Sequence, residues 1–162
     1  MKTLIVYYSL TGCTRTAAQK LAPLLGADLE ELRESADRRG AGGFFRAGRD
    51  AMLARASDLR PTAFRPSDYD LVVVATPVWA FTMCPAVRTW LQREAAGLRA
   101  AAFVCTQGGS GAGRAMRHMA ALAGREPVAR LVLRDKDIRA GLCDAALAGF
   151  AADCRPPERK SV

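Results

Sequence analysis

The stretch Leu4-Ile5-Val6-Tyr7-Tyr8-Ser9-Leu10-Thr11-Gly12-Cys13-Thr14 passes from an unbroken apolar run into a loop of hydroxyls around one glycine. The apolar run predicts a strand over residues 2–8, buried on both faces as in the middle of a parallel sheet. Behind the loop, Ala17, Leu21, Leu24 and Leu25 recur at helical spacing and Gly26 follows, which predicts a helix over residues 14–25. A strand that ends in a short polar loop and opens a helix presents unpaired N–H groups and a partial positive charge to the loop. Ser9, Thr11 and Thr14 each carry a hydroxyl able to donate to a phosphate oxygen. Gly12 permits close backbone approach or a positive φ. Cys13 sits at the helix N-terminus, where thiols can become reactive, and is read as an unreactive filler. The simpler alternative, that Thr11 or Thr14 only caps the helix, accounts for one hydroxyl and leaves the others unexplained. The loop lacks the glycines of the dinucleotide fingerprint and the Gly-Lys pair of the P-loop.

Working outward, residues 28–32 have the short charged pattern of an edge strand, and residues 35–67, rich in Gly, Arg and Ala, form a variable segment with a helix expected over 43–55. Leu71-Val72-Val73-Val74-Ala75 reads as a central strand. Pro85 opens a helix at a favourable early position, with Val87, Trp90 and Leu91 on its buried stripe. Residues 101–105 form another buried strand. The next helix carries Met116, Met119, Ala120 and Ala123 on one face, with His118 read as a surface or partly buried side chain rather than a ligand. Residues 128–133 alternate as an edge strand does. A last helix over 138–153 aligns Cys143, Leu147 and Phe150, with Cys154 at its end, before a frayed tail at 155–162. This alternation predicts one α/β domain over residues 1–154, a five-stranded parallel sheet of order 2-1-3-4-5 with helices on both faces. Its ligand is expected beyond the carboxyl ends of the strands, between the first and third.

Two more loops fall at those ends. Thr76-Pro77-Val78-Trp79-Ala80 follows the third strand, where Trp79 offers a flat apolar surface, or else packs beneath the loop. Thr106-Gln107-Gly108-Gly109-Ser110-Gly111 follows the fourth; alone it reads as a flexible turn. Together, the three loops resemble those of the flavodoxin-like family: the Thr/Ser-x-Thr-Gly-x-Thr phosphate loop, a Ser/Thr-Pro-Val-Trp-Ala segment, and a Cys-Thr-x-Gly-Gly-Ser-Gly pattern beginning here at Cys105. The resemblance implies FMN as cofactor, its phosphate at Ser9, Thr11, Gly12, Cys13 and Thr14. It implies that the flavin ring is bordered by Thr76, Pro77, Val78, Trp79 and Ala80 on one side and by Thr106, Gln107, Gly108 and Gly109 at the pyrimidine end. One compact phosphate loop without a second points to FMN rather than FAD. No catalytic acid or base and no metal ligand is assigned.

The resemblance implies electron transfer or flavin-dependent reduction. The alternatives are a dedicated one-electron shuttle and a non-redox binding module on the same fold. Two departures weigh against the shuttle: the chain is basic where many flavodoxins are acidic, and residues 105–113 contain no aromatic side chain to stack on the ring. An open ring face would admit NAD(P)H or a small acceptor such as a quinone in place of a protein donor or acceptor.

Composition sets the remaining bounds. The 162 residues carry a net charge of +8, with twenty arginines against four lysines. Half of that excess lies in residues 36–65, where seven arginines face three aspartates. No nucleic-acid motif accompanies the basic stretch, so a solvated face is expected there and no nucleic-acid partner. Five cysteines without a C-x-x-C pair suit reduced thiols in the cytoplasm. No secretory pattern is seen, and the longest uncharged stretch, residues 71–87, is interrupted by Pro77 and Pro85 and is not expected to span a membrane.

Overall fold

Strand β1 (Thr3–Tyr7) lies between β2 (Ala27–Glu31) and β3 (Leu71–Trp79), parallel to both, with Val6 opposite Glu30 on one side and Val74 on the other. In this computed structural model, which describes residues 1–35, 42, 43, 46, 49 and 56–156, the sheet continues through β5 (Ala101–Gln107) to β6 (Arg130–Arg134). Its order, β2-β1-β3-β5-β6, is the expected 2-1-3-4-5 arrangement of five parallel strands. A sixth strand, β4 (Thr82–Met83), pairs antiparallel with the end of β3 and lies off that path.

The sheet is sandwiched because its three central strands, β1, β3 and β5, are apolar on both faces. Leu4, Val6, Val72, Val74 and Phe103 pack against α2 (Pro85–Glu94) and α3 (Ala112–Ala123), through Val87, Trp90, Leu91, Met116 and Met119. Ile5, Val73 and Val104 face the other way, onto α1 (Cys13–Leu25) and α5 (Asp144–Asp153), through Ala17, Leu21, Leu147 and Phe150. Full burial of each Leu, Ile, Val or Phe contributes about 1.5–3 kcal/mol. The segment that follows β2 returns to the body by a bridge between Glu34 and Leu59 and by the Ser57 hydroxyl bonded to Glu34.

The structure departs from the sequence reading in three places. Helix 138–153 is in fact two: α4 (Asp135–Arg139) and α5, separated where Gly141 takes φ +72. Strand β3 runs on to Trp79 and turns into β4, so the loop after the third strand is a hairpin arm. The expected edge strand at 128–133 is shifted to Arg130–Arg134. Most of the helix expected at 43–55 and most of the tail lie outside the described residues. All five cysteines are buried and free. Among the described residues no helix is long and apolar enough to cross a membrane.

Candidate functional site

The carboxyl ends of β1, β3, β5 and β6 open into one cleft of about 480 Å³. Its walls are Leu10, Thr11, Cys13 and Thr14 behind β1, Pro77, Val78, Trp79 and Ala80 from β3, and Thr106, Gln107, Gly108 and Gly109 from β5. Asp135 and Arg139, from α4 just beyond β6, complete the lining. The parallel register sets Pro77 beside Thr106, so two loops far apart in sequence meet at one wall.

The first loop is built so that its hydroxyls are not spent on capping. Gly12 is the N-cap of α1 at φ +101, with no side-chain cap. Neither Thr11 nor Thr14 therefore plays the simple capping role. The Gly12 N–H donates to Ser9 Oγ at 3.1 Å, which closes the loop and leaves the Ser9 hydroxyl hydrogen available. Thr14 Oγ1 and Thr106 Oγ1 lie 2.8 Å apart in a buried contact. One hydroxyl of that pair donates to the other, so a single hydrogen remains for a further acceptor. Thr11 is exposed at the mouth.

The second loop is a strained hairpin tip. Ala80 at φ +48 and Phe81 at φ +62 join Trp79 to Thr82, a two-residue connection with positive φ at both central positions. Such turns ordinarily use Asn-Gly or Gly-Gly, because left-handed backbone is unfavourable for residues with a side chain. Gly111, at φ +110, makes room for this tip: a Cβ there would fall 2.7 Å from Phe81 Cα. Trp79 is half-buried, lines the cleft and packs edge-on against Tyr8 at 5.5 Å between ring centroids.

Of the residues singled out in the sequence, Thr76 lies beneath the cleft rather than in its lining. Its buried hydroxyl accepts from the Cys84 N–H at 3.1 Å and donates to the Pro77 carbonyl at 2.9 Å, fixing the β3 arm to the start of α2. Ser9 and Gly12 shape the first loop from behind the lining. Gln107 lines the cleft while its Oε1 accepts from the Ala112 N–H at 3.1 Å, capping α3. Burial pushes the Cys84 and Cys105 thiols up to about 12, so both stay protonated and inert. Leu10, Asp135 and Arg139 were not anticipated. The one available signal was positional, since the fifth parallel strand must also end on the cleft side.

The family profile described as Flavodoxin matches residues 2–131 of this chain. No curated protein sequence matches it. Among solved structures, a flavoprotein from Lactobacillus acidophilus NCFM, crystallised in complex with FMN, is 23% identical, with TM-score 0.68 over 86% of this chain and 97% of its own. A protein of Bacteroides uniformis ATCC 8492 described as a flavoprotein is 18% identical, with TM-score 0.74 over 93% of this chain and 97% of its own. Megasphaera elsdenii flavodoxin, solved in its two-electron reduced form, is 16% identical, with TM-score 0.59 over 94% and 99%. At these identities the structural likeness establishes the shared fold. With the profile spanning most of the chain, the protein belongs to the flavodoxin family.

Proposed function

We propose that this protein binds FMN in the cleft and uses it for electron transfer or flavin-dependent reduction. The observation that carries this reading is the meeting of three loops in one cleft of about 480 Å³, on a fold shared with a flavoprotein solved with FMN. The donor set fits a phosphate. Ser9 and the Thr14–Thr106 pair retain hydroxyl hydrogens, Thr11 stands at the mouth, and α1 begins there with unpaired N–H groups. In this reading Pro77, Val78, Trp79 and Ala80 border the ring and Thr106, Gln107, Gly108 and Gly109 its pyrimidine end. Thr76 supports the β3 arm from below. Arg139 adds positive charge to the rim.

When bound, FMN supplies the redox chemistry, and the chain's own residues supply position, exclusion of water and charge. Gly108 and Gly109 leave one wall without bulky side chains, which favours direct use of NAD(P)H and a small acceptor such as a quinone over service as a dedicated shuttle. A protein donor or acceptor is the alternative. Buried free cysteines agree with a cytoplasmic setting.

The test is the visible spectrum of freshly purified protein, with mass identification of the released cofactor. Oxidation of NAD(P)H without a protein partner separates a reductase from a carrier. Colourless protein that takes up no FMN in titration overturns the reading, and FAD bound as tightly as FMN overturns the choice of flavin.

A further inference from the structure

Behind the β3–β4 hairpin, outside the cleft lining, lies a group of cationic side chains with no carboxylate paired to them among the described residues. Arg88 in the first turns of α2 donates from Nη2 to Thr82 Oγ1 at 3.1 Å. Thr82 Oγ1 lies 3.0 Å from Nδ1 of His118 on α3. The Thr82 hydroxyl either donates to an unprotonated Nδ1, leaving the imidazole hydrogen on Nε2, or accepts from Nδ1–H and keeps its own hydrogen. With a neutral imidazole the pair therefore offers one hydrogen to a further acceptor. Arg114 stands one turn before His118 on α3, and Arg117 adjoins it.

Two observations make this group more than a solvated basic face. The Arg88 Nε is buried and has no hydrogen-bond partner. A buried donor left without an acceptor is uncommon and calls for an explanation. In addition, burial and then the charges of Arg114, Arg88 and Arg117 hold His118 below its ordinary range, while burial also lowers Arg88. The cations repel one another here, and no carboxylate is paired with them among the described residues.

We propose that Thr82, Arg88, Arg114 and His118 form a second anion site, separate from the cleft, that takes a phosphate group. Two arginines and the one hydrogen left over by the Thr82–His118 pair are donors of the kind that recognise phosphate oxygens. The site stands two residues along the chain from Ala80, which lines the cleft. A phosphate held here is either free inorganic phosphate or the phosphate of a dinucleotide such as NADPH lying across the hairpin.

His118 is the sole histidine in the chain, so its imidazole NMR signals report on this site alone. The full-length protein is titrated with inorganic phosphate, NADPH and NADH, following those signals and the His118 titration midpoint. A saturable shift with a raised midpoint is expected, because an anion stabilises the imidazolium. The shift should persist in the cleft variant Thr11→Ala, so failure of the cleft assignment is read separately. Arg114→Gln, an exposed position, should weaken binding roughly tenfold, the equivalent of one charge-assisted hydrogen bond. Arg88→Gln should weaken it at least as much. Affinity for NADPH above that for both NADH and phosphate identifies a dinucleotide, whereas equal affinity for phosphate and NADPH identifies the free anion. No saturable shift with phosphate or NADPH, or binding unchanged in both arginine variants, overturns the proposal.

Discussion

Thr14 and Thr106, 92 residues apart in sequence, share a buried hydroxyl–hydroxyl hydrogen bond of 2.8 Å that ties the start of α1 to the end of β5. The bond joins two of the three loops around the cleft, so its loss acts on both binding and folding. Thr11 has no such second duty, being exposed at the mouth. Thr11→Ala should therefore cost on the order of 1.5–3 kcal/mol of FMN affinity, the worth of a hydrogen bond to a charged group, with Tm unchanged. Thr14→Ala should lower FMN affinity and also cost about 1–3 kcal/mol of stability, since it strands the Thr106 hydroxyl. Fluorescence titration of apoprotein and urea unfolding check the two together. Unchanged affinity in a variant carrying both Thr11→Ala and Thr14→Ala would place the phosphate elsewhere.

The two tryptophans should separate cleanly. Trp90 is 2% exposed, within the core under α2, whereas Trp79 lines the cleft against Tyr8. Trp90→Ala should cost roughly 3–5 kcal/mol of stability as a core truncation. Trp79→Ala should instead shift flavin absorbance or potential and change affinity, with a smaller loss of stability. Spectral titration with chemical denaturation reads both, and a Trp79→Ala variant with unaltered flavin signals would contradict the ring placement.

At the hairpin, opposite signs are expected from two substitutions at one contact. Gly111→Ala combines a disfavoured φ of +110 with a 2.7 Å approach to Phe81 Cα, and backbone must move to admit it. A loss of about 1–3 kcal/mol should follow, with weakened FMN binding as the β3 arm is displaced. Phe81→Gly relieves the positive φ of an exposed side chain and should raise stability by up to about 1 kcal/mol. Thermal unfolding of the two variants decides the matter, and a stabilised Gly111→Ala would contradict the described turn.

His118 makes stability depend on pH in a stated direction. Its folded-state titration lies below the ordinary 6.5, first because of burial and then because of Arg114, Arg88 and Arg117. Between those two values the unfolded chain binds more protons than the folded one, so stability falls as pH drops through about 6.5 and below. His118→Asn should flatten that part of the stability–pH curve, measured by urea unfolding between about pH 5.5 and 7. A slope that survives the substitution would assign the effect to another group.

The fold was legible from the sequence because its determinants are local. Leu4-Ile5-Val6 and Leu71-Val72-Val73-Val74 are apolar at every position and can only be buried on both faces, which calls for a parallel sheet with helices on either side. Gly26 and Pro85 marked helix limits where the structure has them. The hairpin at Ala80-Phe81 was not legible, because its φ angles are set by packing against Gly111 and by pairing with β3, not by turn residues. The break between α4 and α5 was hidden by an apolar periodicity that continues across Gly141.

The cleft divides in the same way. Sequence by itself determined which loops carry the hydroxyls, the glycines and Trp79, since strand ends and helix starts follow from hydrophobic period and loop chemistry. Only the tertiary structure decided that Thr14 bonds Thr106, that Thr76 turns into the core, that Asp135 and Arg139 join the rim, and that Arg88 meets His118 through Thr82. Those meetings depend on strand order and register, which place side chains from distant segments within a few ångströms once the sheet has closed around its two cores.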